Sequence, residues 1–183
     1  MSHASKHRPY ELAEYNPEWK HWFENRCDKI RPLFGENLLS IEHIGSTSVP
    51  GMLAKPNIDI LVVVRNLDDV TERLQFFLDA GFTPQGREYV GDGDEYITED
   101  TPDGKRITSI HVLELGNQKI ISYREFREYL RVNEEDRNLY IETKKKLYAE
   151  HTENYRGYDF GKTETIEAIK KRAHAWAEVH LPK

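Results

Sequence analysis

The residues able to do chemistry together lie in one stretch, I-E-H-I-G-S-T-S-V-P-G-M-L-A-K-P-N-I-D-I-L-V-V-V, from Ile41 to Val64. Gly45 and Ser46 interrupt an apolar run and open a loop carrying Thr47, Ser48, Pro50 and Gly51. Such a turn can aim backbone N–H groups and hydroxyls at an anion. Lys55 and Asn57 lead out of the loop, and Asp59 stands near the head of the next apolar run. A carboxylate flanked by isoleucines is costly to bury unless a metal ion, a cation or hydrogen-bond donors meet it. An anion-binding loop opposite a metal-capable carboxylate is the layout of a nucleotide site. A tight turn with a locally satisfied Asp uses the same residues, and a short motif alone does not choose between the two.

The elements on either side must hold that stretch in place. Ile41 to Ile44 and Ile58 to Val64 read as strands, and Glu11 to Tyr15 as a short edge strand. Asn16-Pro17 is a helix start, and Trp19, Trp22, Phe23, Cys27, Ile30 and Phe34 follow at helical spacing until Gly35. A second helix runs from Asn66, with Leu67, Val70, Leu74, Phe77 and Leu78 on one stripe and Gly81 at its end. Phe82 to Val90 reads as extended. Gly91 to Glu95 is an acidic loop without the ordered ligand spacing of a calcium site, and is expected to be solvated. Tyr96 to Glu99 and Arg106 to Leu115 read as strands around a Pro102-Asp103-Gly104 turn. The second carries His111 and Glu114, which on an ideal strand face opposite sides of a sheet.

The rest of the chain reads as helical: Tyr123 to Arg131, Glu134 to Glu150 with Leu139, Tyr140 and Leu147 turned inward, and Thr163 to His180 with Ile166, Ile169, Ala173 and Trp176 on one stripe. Tyr155 to Lys162, rich in aromatics and glycine, reads as a linker. Arg124, Arg127 and Arg131 can share a helix face, and Lys144, Lys145 and Lys146 form a run. Charges of this kind are most often solvated surface; the functional alternative is a phosphate clamp, to which Arg brings bidentate contacts and Lys a mobile point charge.

The 183 residues suit one domain, a sheet-forming part over about 11–121 and a helical part over about 122–183. A hydrophobic content of 38% allows a core, and a net charge of -6 argues against general nucleic-acid binding. The lone Cys27 excludes an intramolecular disulfide and fits a reducing compartment. Met1 to Tyr10 lacks the apolar segment of a signal peptide, and no run has the length of a membrane span, so a soluble cytoplasmic protein is expected.

Two resemblances add to this reading. Ile44-Gly45-Ser46, a ten-residue spacer from Thr47 to Pro56, and Asn57-Ile58-Asp59-Ile60 resemble the nucleotidyltransferase superfamily, whose pattern is an apolar residue, G-S, about ten residues and D-h-D-h. The departure is Asn57, which stands where the first carboxylate belongs. Glu42 to Gly51 and Lys55 to Ile60 resemble the hallmark of the GrpB family, similar to a branch of that superfamily. The likeness extends to Tyr15-Asn16-Pro17-Glu18-Trp19 and Phe126-Arg127-Glu128-Tyr129-Leu130-Arg131, nearly the whole chain. It implies an α+β fold: a nucleotidyltransferase-like mixed sheet with helices packed on one face, plus C-terminal helices. It also favours His111 over Glu114 as the site residue and brings Arg127, Arg131 and Lys144 toward the cleft.

The expected function is binding of a nucleotide or other phosphate-bearing small molecule. Gly45, Ser46, Thr47, Ser48 and Lys55, with Arg127, Arg131 and Lys144, would hold phosphate. Asp59 and His111 would be catalytic, and Asp59 with Asn57 would hold Mg2+ if a nucleotidyl group is transferred. The alternative is a module that keeps the pocket without the chemistry, because two-metal catalysis needs several carboxylates and Asn57 brings no charge. A pure interaction protein is a third reading, supported only by the charge-rich helical half.

Overall fold

Ile58–Val64 carries one polar residue in seven, the composition of a strand covered on both faces. The computed structural model describes residues 8–89 and 93–181 and makes this strand, β2, the interior of a five-stranded mixed sheet. In chain order the elements are α1 (Glu18–Phe34), β1 (Leu38–Ile44), β2 (Ile58–Val64), α2 (Leu67–Glu72), α3 (Leu74–Asp79), β3 (Thr83–Pro84), β4 (Glu95–Asp100), β5 (Arg106–Glu114), α4 (Gln118–Val132), α5 (Glu134–Glu150), α6 (Tyr155–Gly161) and α7 (Thr163–His180). The sheet order is β1-β2-β5-β4-β3, with β2 and β5 parallel and the other neighbours antiparallel.

The two faces of β2 are covered differently. Ile58, Ile60, Val62 and Val64 join Trp19, Ile30 and Phe34 of α1, Leu67 and Val70 of α2 and Phe77 of α3 in the main core. On the opposite face Leu61 and Val63 meet Ile44, Leu113 and Ile120 of α4. Asp59 lies on that second face, where α4 does not cover the sheet and a cavity remains.

A third cluster binds the loop after β1 to the helical layer: Val49 and Met52 pack with Tyr129 and Leu130 of α4, Tyr140 of α5, and Ile169 and Ala173 of α7. The loop is therefore a seam between sheet and helices. Tyr129 donates to Asp136, which also receives both arms of Arg172, tying α4, α5 and α7 together.

Several local readings need correction. The helix expected over 67–78 is two, broken at Arg73, and Leu78 is exposed, because this edge of the sheet gives it nothing to pack on. Of the extended stretch after Phe82 only Thr83–Pro84 pairs with a neighbour, and Val90 lies outside the described residues. Of the acidic loop, Gly91 and Asp92 also lie outside them. Asp94 and Glu95 are buried rather than solvated, Asp94 accepting from Lys119 at 2.8 Å. Leu139 is exposed, whereas Tyr140 is buried and Leu147 is half-buried against Gly161 of α6. Glu11–Tyr15 contributes a single bridge, Ala13 to Ala54. Asn16 caps α1 from one residue further out, accepting from the Glu18 N–H. The segment read as a linker is helix α6, started by the Asn154 side chain accepting from the Gly157 N–H.

Candidate functional site

β2 and β5 run in parallel with Asp59 beside Ser109 and Leu61 beside His111, and β4 sets Tyr96 opposite His111. Asp59, Ser109, His111 and Tyr96 thus line one end of the exposed sheet face. They form the floor of a cavity of about 390 Å³. Gly45, Ser46 and Thr47 make one wall; Tyr140 and Lys144 of α5 with Tyr155, Tyr158 and Asp159 of α6 make the other. Lys55 and Lys162 also face in, and residues Arg8 to Glu11 cross one side. Two adjacent residues fix that crossing segment, Tyr10 donating to the His151 carbonyl and Glu11 pairing with Lys105.

The loop meets the floor closely. Gly45 has φ 69° and ψ −172°, and a Cβ there would lie 2.4 Å from Asp59 Oδ2. The Asn57 amide Nδ2 donates to Asp59 Oδ1 at 2.8 Å and to Ser109 Oγ at 3.2 Å. Tyr96 donates to Ser109 Oγ at 2.9 Å and accepts from Arg106 at 3.2 Å, so a hydrogen-bonded chain spans three strands and ends on Asp59. Thr47 Oγ1 bridges His43 Nε2 and the Asn57 carbonyl, at 2.9 and 3.3 Å.

Three lysines face the same space. Lys144 Nζ donates to Ser46 Oγ at 2.6 Å and to the Leu53 carbonyl at 2.8 Å, with the Tyr140 ring 4.0 Å away. Lys55 Nζ donates to the Tyr155 hydroxyl at 2.6 Å and sits 4.2 and 5.5 Å from the Tyr155 and Tyr158 ring centres. Lys162 pairs with Asp159 at 2.9 Å and lies over the other contact of that shared ring, 4.7 Å from the centre of Tyr158.

The environment moves their proton affinities. Burial pushes Lys55 down to about 7, helped by Lys162 and opposed by Asp159 and Asp59. Burial, with Lys162 and Lys55 nearby, holds Lys144 well below an ordinary lysine. Burial opposes the Lys162 charge too, but Asp159 together with Tyr140, Tyr158 and Tyr155 outweighs it and holds Lys162 well above an ordinary lysine. Asp59 is pushed up to about 6 by burial, against the pull of Lys55, Lys162 and the Asn57 bond. His111, lowered to about 4 by burial and then by Lys119, is neutral at physiological pH; its Nδ1 lies 3.3 Å from the Tyr123 hydroxyl.

Of the residues expected at the site, Gly45, Ser46, Thr47, Lys55, Asn57, Asp59, His111 and Lys144 line this cavity. Glu114 instead accepts from the Leu67 N–H at the start of α2. Ser48 does not line the cavity; its hydroxyl turns back to the Gly45 carbonyl at 2.7 Å. Arg127 and Arg131 do not line it either. Arg127 donates to the His43 carbonyl at 2.9 Å and to Glu42, and Arg131 donates to the Ser48 carbonyl at 2.9 and 3.2 Å. Their guanidinium groups are shared between backbone carbonyls behind the loop and the carboxylates of Glu42 and Glu128. The residues not foreseen are Tyr96, Arg106, Ser109, Tyr155, Tyr158, Asp159 and Lys162; the spacing of Asp159 and Lys162, three apart, was the available signal. Cys27, buried in α1 with its thiol pushed up to about 11, takes no part.

The family described as GrpB protein matches residues 9–172. The chain belongs to the GrpB family. It is 33% identical over 174 residues to the UPF0157 protein YqkA of Bacillus subtilis, covering 95% of this chain and 50% of that protein, so it spans about half that relative's length. The crystal structure of conserved protein GrpB from Enterococcus faecalis superposes with a TM-score of 0.84 at 34% identity, over 91% of this chain and 99% of that one. The Cid1 poly(U) polymerase, solved with MgGTP bound, superposes with a TM-score of 0.53 at 12% identity, over 81% of this chain and 50% of that one. That likeness concerns the fold, which is nucleotidyltransferase-like. No helix among the described residues is long and apolar enough to cross a membrane.

A fold of this kind raises the question of Mg2+. Among the described residues no three His, Cys, Asp or Glu side chains are grouped to hold a metal ion. Asn57 turns a donor, not its carbonyl oxygen, toward Asp59 Oδ1, and the Gly45 backbone packs against Oδ2. Mg2+ is usually held by one or two carboxylates together with substrate phosphates. These residues do not fit an ion held by the protein alone.

Proposed function

We propose that this cavity binds a phosphate-bearing small molecule, with a nucleotide as the form the fold suggests. One observation carries the reading: Lys55 and Lys144 face the cavity bonded only to neutral oxygens among the described residues, while the Ser46 and Thr47 hydroxyls stand beside them. Cations with no paired carboxylate in a confined space favour an anion strongly, because the anion restores the charge balance that burial opposes. Among the described residues, Arg8, Lys55, Lys105, Arg106, Lys144 and Lys162 line the cavity against the acidic Glu11, Asp59 and Asp159, in a chain whose net charge is negative. Six tyrosines, at 10, 89, 96, 140, 155 and 158, supply flat apolar wall for the rest of such a ligand.

The test is thermal unfolding with pyrophosphate, ATP and UTP, using sodium chloride at matched ionic strength as control. A ligand at a hundred times its Kd stabilises by about 2.7 kcal/mol. Lys144→Met and Lys55→Met should lose most of the shift. No shift with any phosphate compound would refute the reading.

Nucleotidyl transfer is a second reading, favoured by the neutral His111 and the Asp59 carboxylate on the same floor. Either can accept a proton from an attacking hydroxyl at neutral pH. It requires labelled nucleoside triphosphate to be converted to a transferred product, and His111→Gln to slow that conversion without weakening binding.

A further inference from the structure

The usual way for this kind of fold to neutralise phosphate is a divalent ion held by paired carboxylates. Here Asp59 is a single carboxylate whose Oδ1 already accepts from the Asn57 amide at 2.8 Å, and whose Oδ2 stands where a Cβ on Gly45 would lie 2.4 Å away. Three lysine amino groups, which an anion would hold charged, gather a short way off. Lys55 and Lys162 both lie over the Tyr158 ring, at 5.5 and 4.7 Å, and Lys144 reaches the same cavity from α5, fixed on Ser46. Neither Lys55 nor Lys144 has a carboxylate at ion-pair distance among the described residues. Resting on the phosphate-binding reading above, we propose that the cavity takes the phosphates of its ligand as a metal-free polyanion, with Lys55, Lys144 and Lys162 in the place of a divalent ion.

The consequence is a preference that a metal site would reverse. Mg2+ on a diphosphate removes two of the charges the lysines recognise and brings a cation into their company. Asp59, ionised above about 6, is then a repulsive neighbour of the ligand rather than its tether. Removing its charge should help binding here and harm it in a metal-bridged site.

The experiment is calorimetric titration of the full chain with pyrophosphate and, in parallel, ATP, at neutral pH, once in EDTA and once with Mg2+ in excess over ligand. Binding is expected in EDTA and should weaken about tenfold in Mg2+, the loss of one charge-assisted bond. Asp59→Asn should tighten binding in EDTA severalfold, while Lys144→Met and Lys162→Met should each weaken it. Lys55→Met should weaken it too, and circular dichroism with thermal unfolding of each variant separates lost binding from lost fold. Tighter binding in Mg2+ than in EDTA, or loss of binding in Asp59→Asn, overturns the proposal while leaving a phosphate site in place. Absence of binding to both probes in both conditions overturns the phosphate reading itself.

Discussion

Gly45→Ala tests the contact between loop and sheet on which the cavity depends. Two costs follow from the geometry. At φ 69° and ψ −172° the backbone occupies a region that residues with a Cβ avoid, a strain of about 1–3 kcal/mol. The new Cβ would also fall 2.4 Å from Oδ2, 2.9 Å from Cβ and 3.0 Å from Cγ of Asp59. Asp59 has little room to give, because Asn57 holds its carboxylate and its backbone is paired on both sides, to Ile44 and Ser109. Forcing an atom into such packing costs about another 1–3 kcal/mol. The sum is a large share of the ~5–15 kcal/mol that keeps a domain folded. Urea unfolding followed by the fluorescence of Trp19 and Trp22 in α1 and Trp176 in α7 should show a lower midpoint at unchanged slope. Asp59→Ala removes Oδ2 and Cγ, so most of the clash should go in the double variant, while the 2.9 Å approach to the Cβ of residue 59 and the backbone strain remain. The expected coupling is about 1–3 kcal/mol. Additivity within about 0.5 kcal/mol would mean that the loop does not press on Asp59, and the enclosed carboxylate would lose its foundation.

Arg131→Gln removes a charged donor from the Ser48 carbonyl and should cost about 1.5–3 kcal/mol of stability. Pyrophosphate affinity should fall with it while its salt dependence stays the same; a shallower salt slope would show that Arg131 touches the ligand after all. Lys55 contributes stability that is present above 10.5 and lost as pH falls through about 7, because the folded state gives up its proton earlier than the unfolded chain. Asp59 contributes in the opposite sense and a lower window, full below 3.8 and lost as pH rises through about 6. Tm should therefore climb above pH 7, and Lys55→Met should flatten the climb; an identical slope would count against a displaced Lys55. Asn57→Asp sets a second carboxylate beside Asp59 and should bind Mn2+ more tightly than the wild type in a spin-resonance titration, whereas matching titrations would show that the pair cannot form a metal site.

The sheet was legible because of how its strands are buried. β2 is apolar at nearly every position, as a strand covered on both faces must be, so its single carboxylate stood out as a site residue. Strand alternation put His111 and Glu114 on opposite faces, and the family resemblance chose His111 as the one facing the site. The fourth wall of the cavity was not legible. Tyr155 to Lys162 holds two glycines among its aromatics, weak for a helix in isolation, and becomes helical by docking its tyrosines and by the Asn154 cap. Arg127 and Arg131 were ambiguous for a chemical reason: a guanidinium suits a phosphate oxygen and a peptide carbonyl equally, and only the path of β1 and the loop decides which one it meets. The break at Arg73 had no glycine or proline to announce it.

The seam between loop and helices also sets a timetable for synthesis. Arg127 grips a carbonyl 84 residues earlier in the chain, and Lys144 reaches a hydroxyl 98 residues earlier. At about 5–20 residues per second, the ribosome makes the loop roughly 5–20 s before the last of its holders exists. During that interval Val49 and Met52 have no helical layer to enter. The speed of translation through α4 and α5 therefore bears on how many nascent chains reach the folded form, independently of how stable that form is.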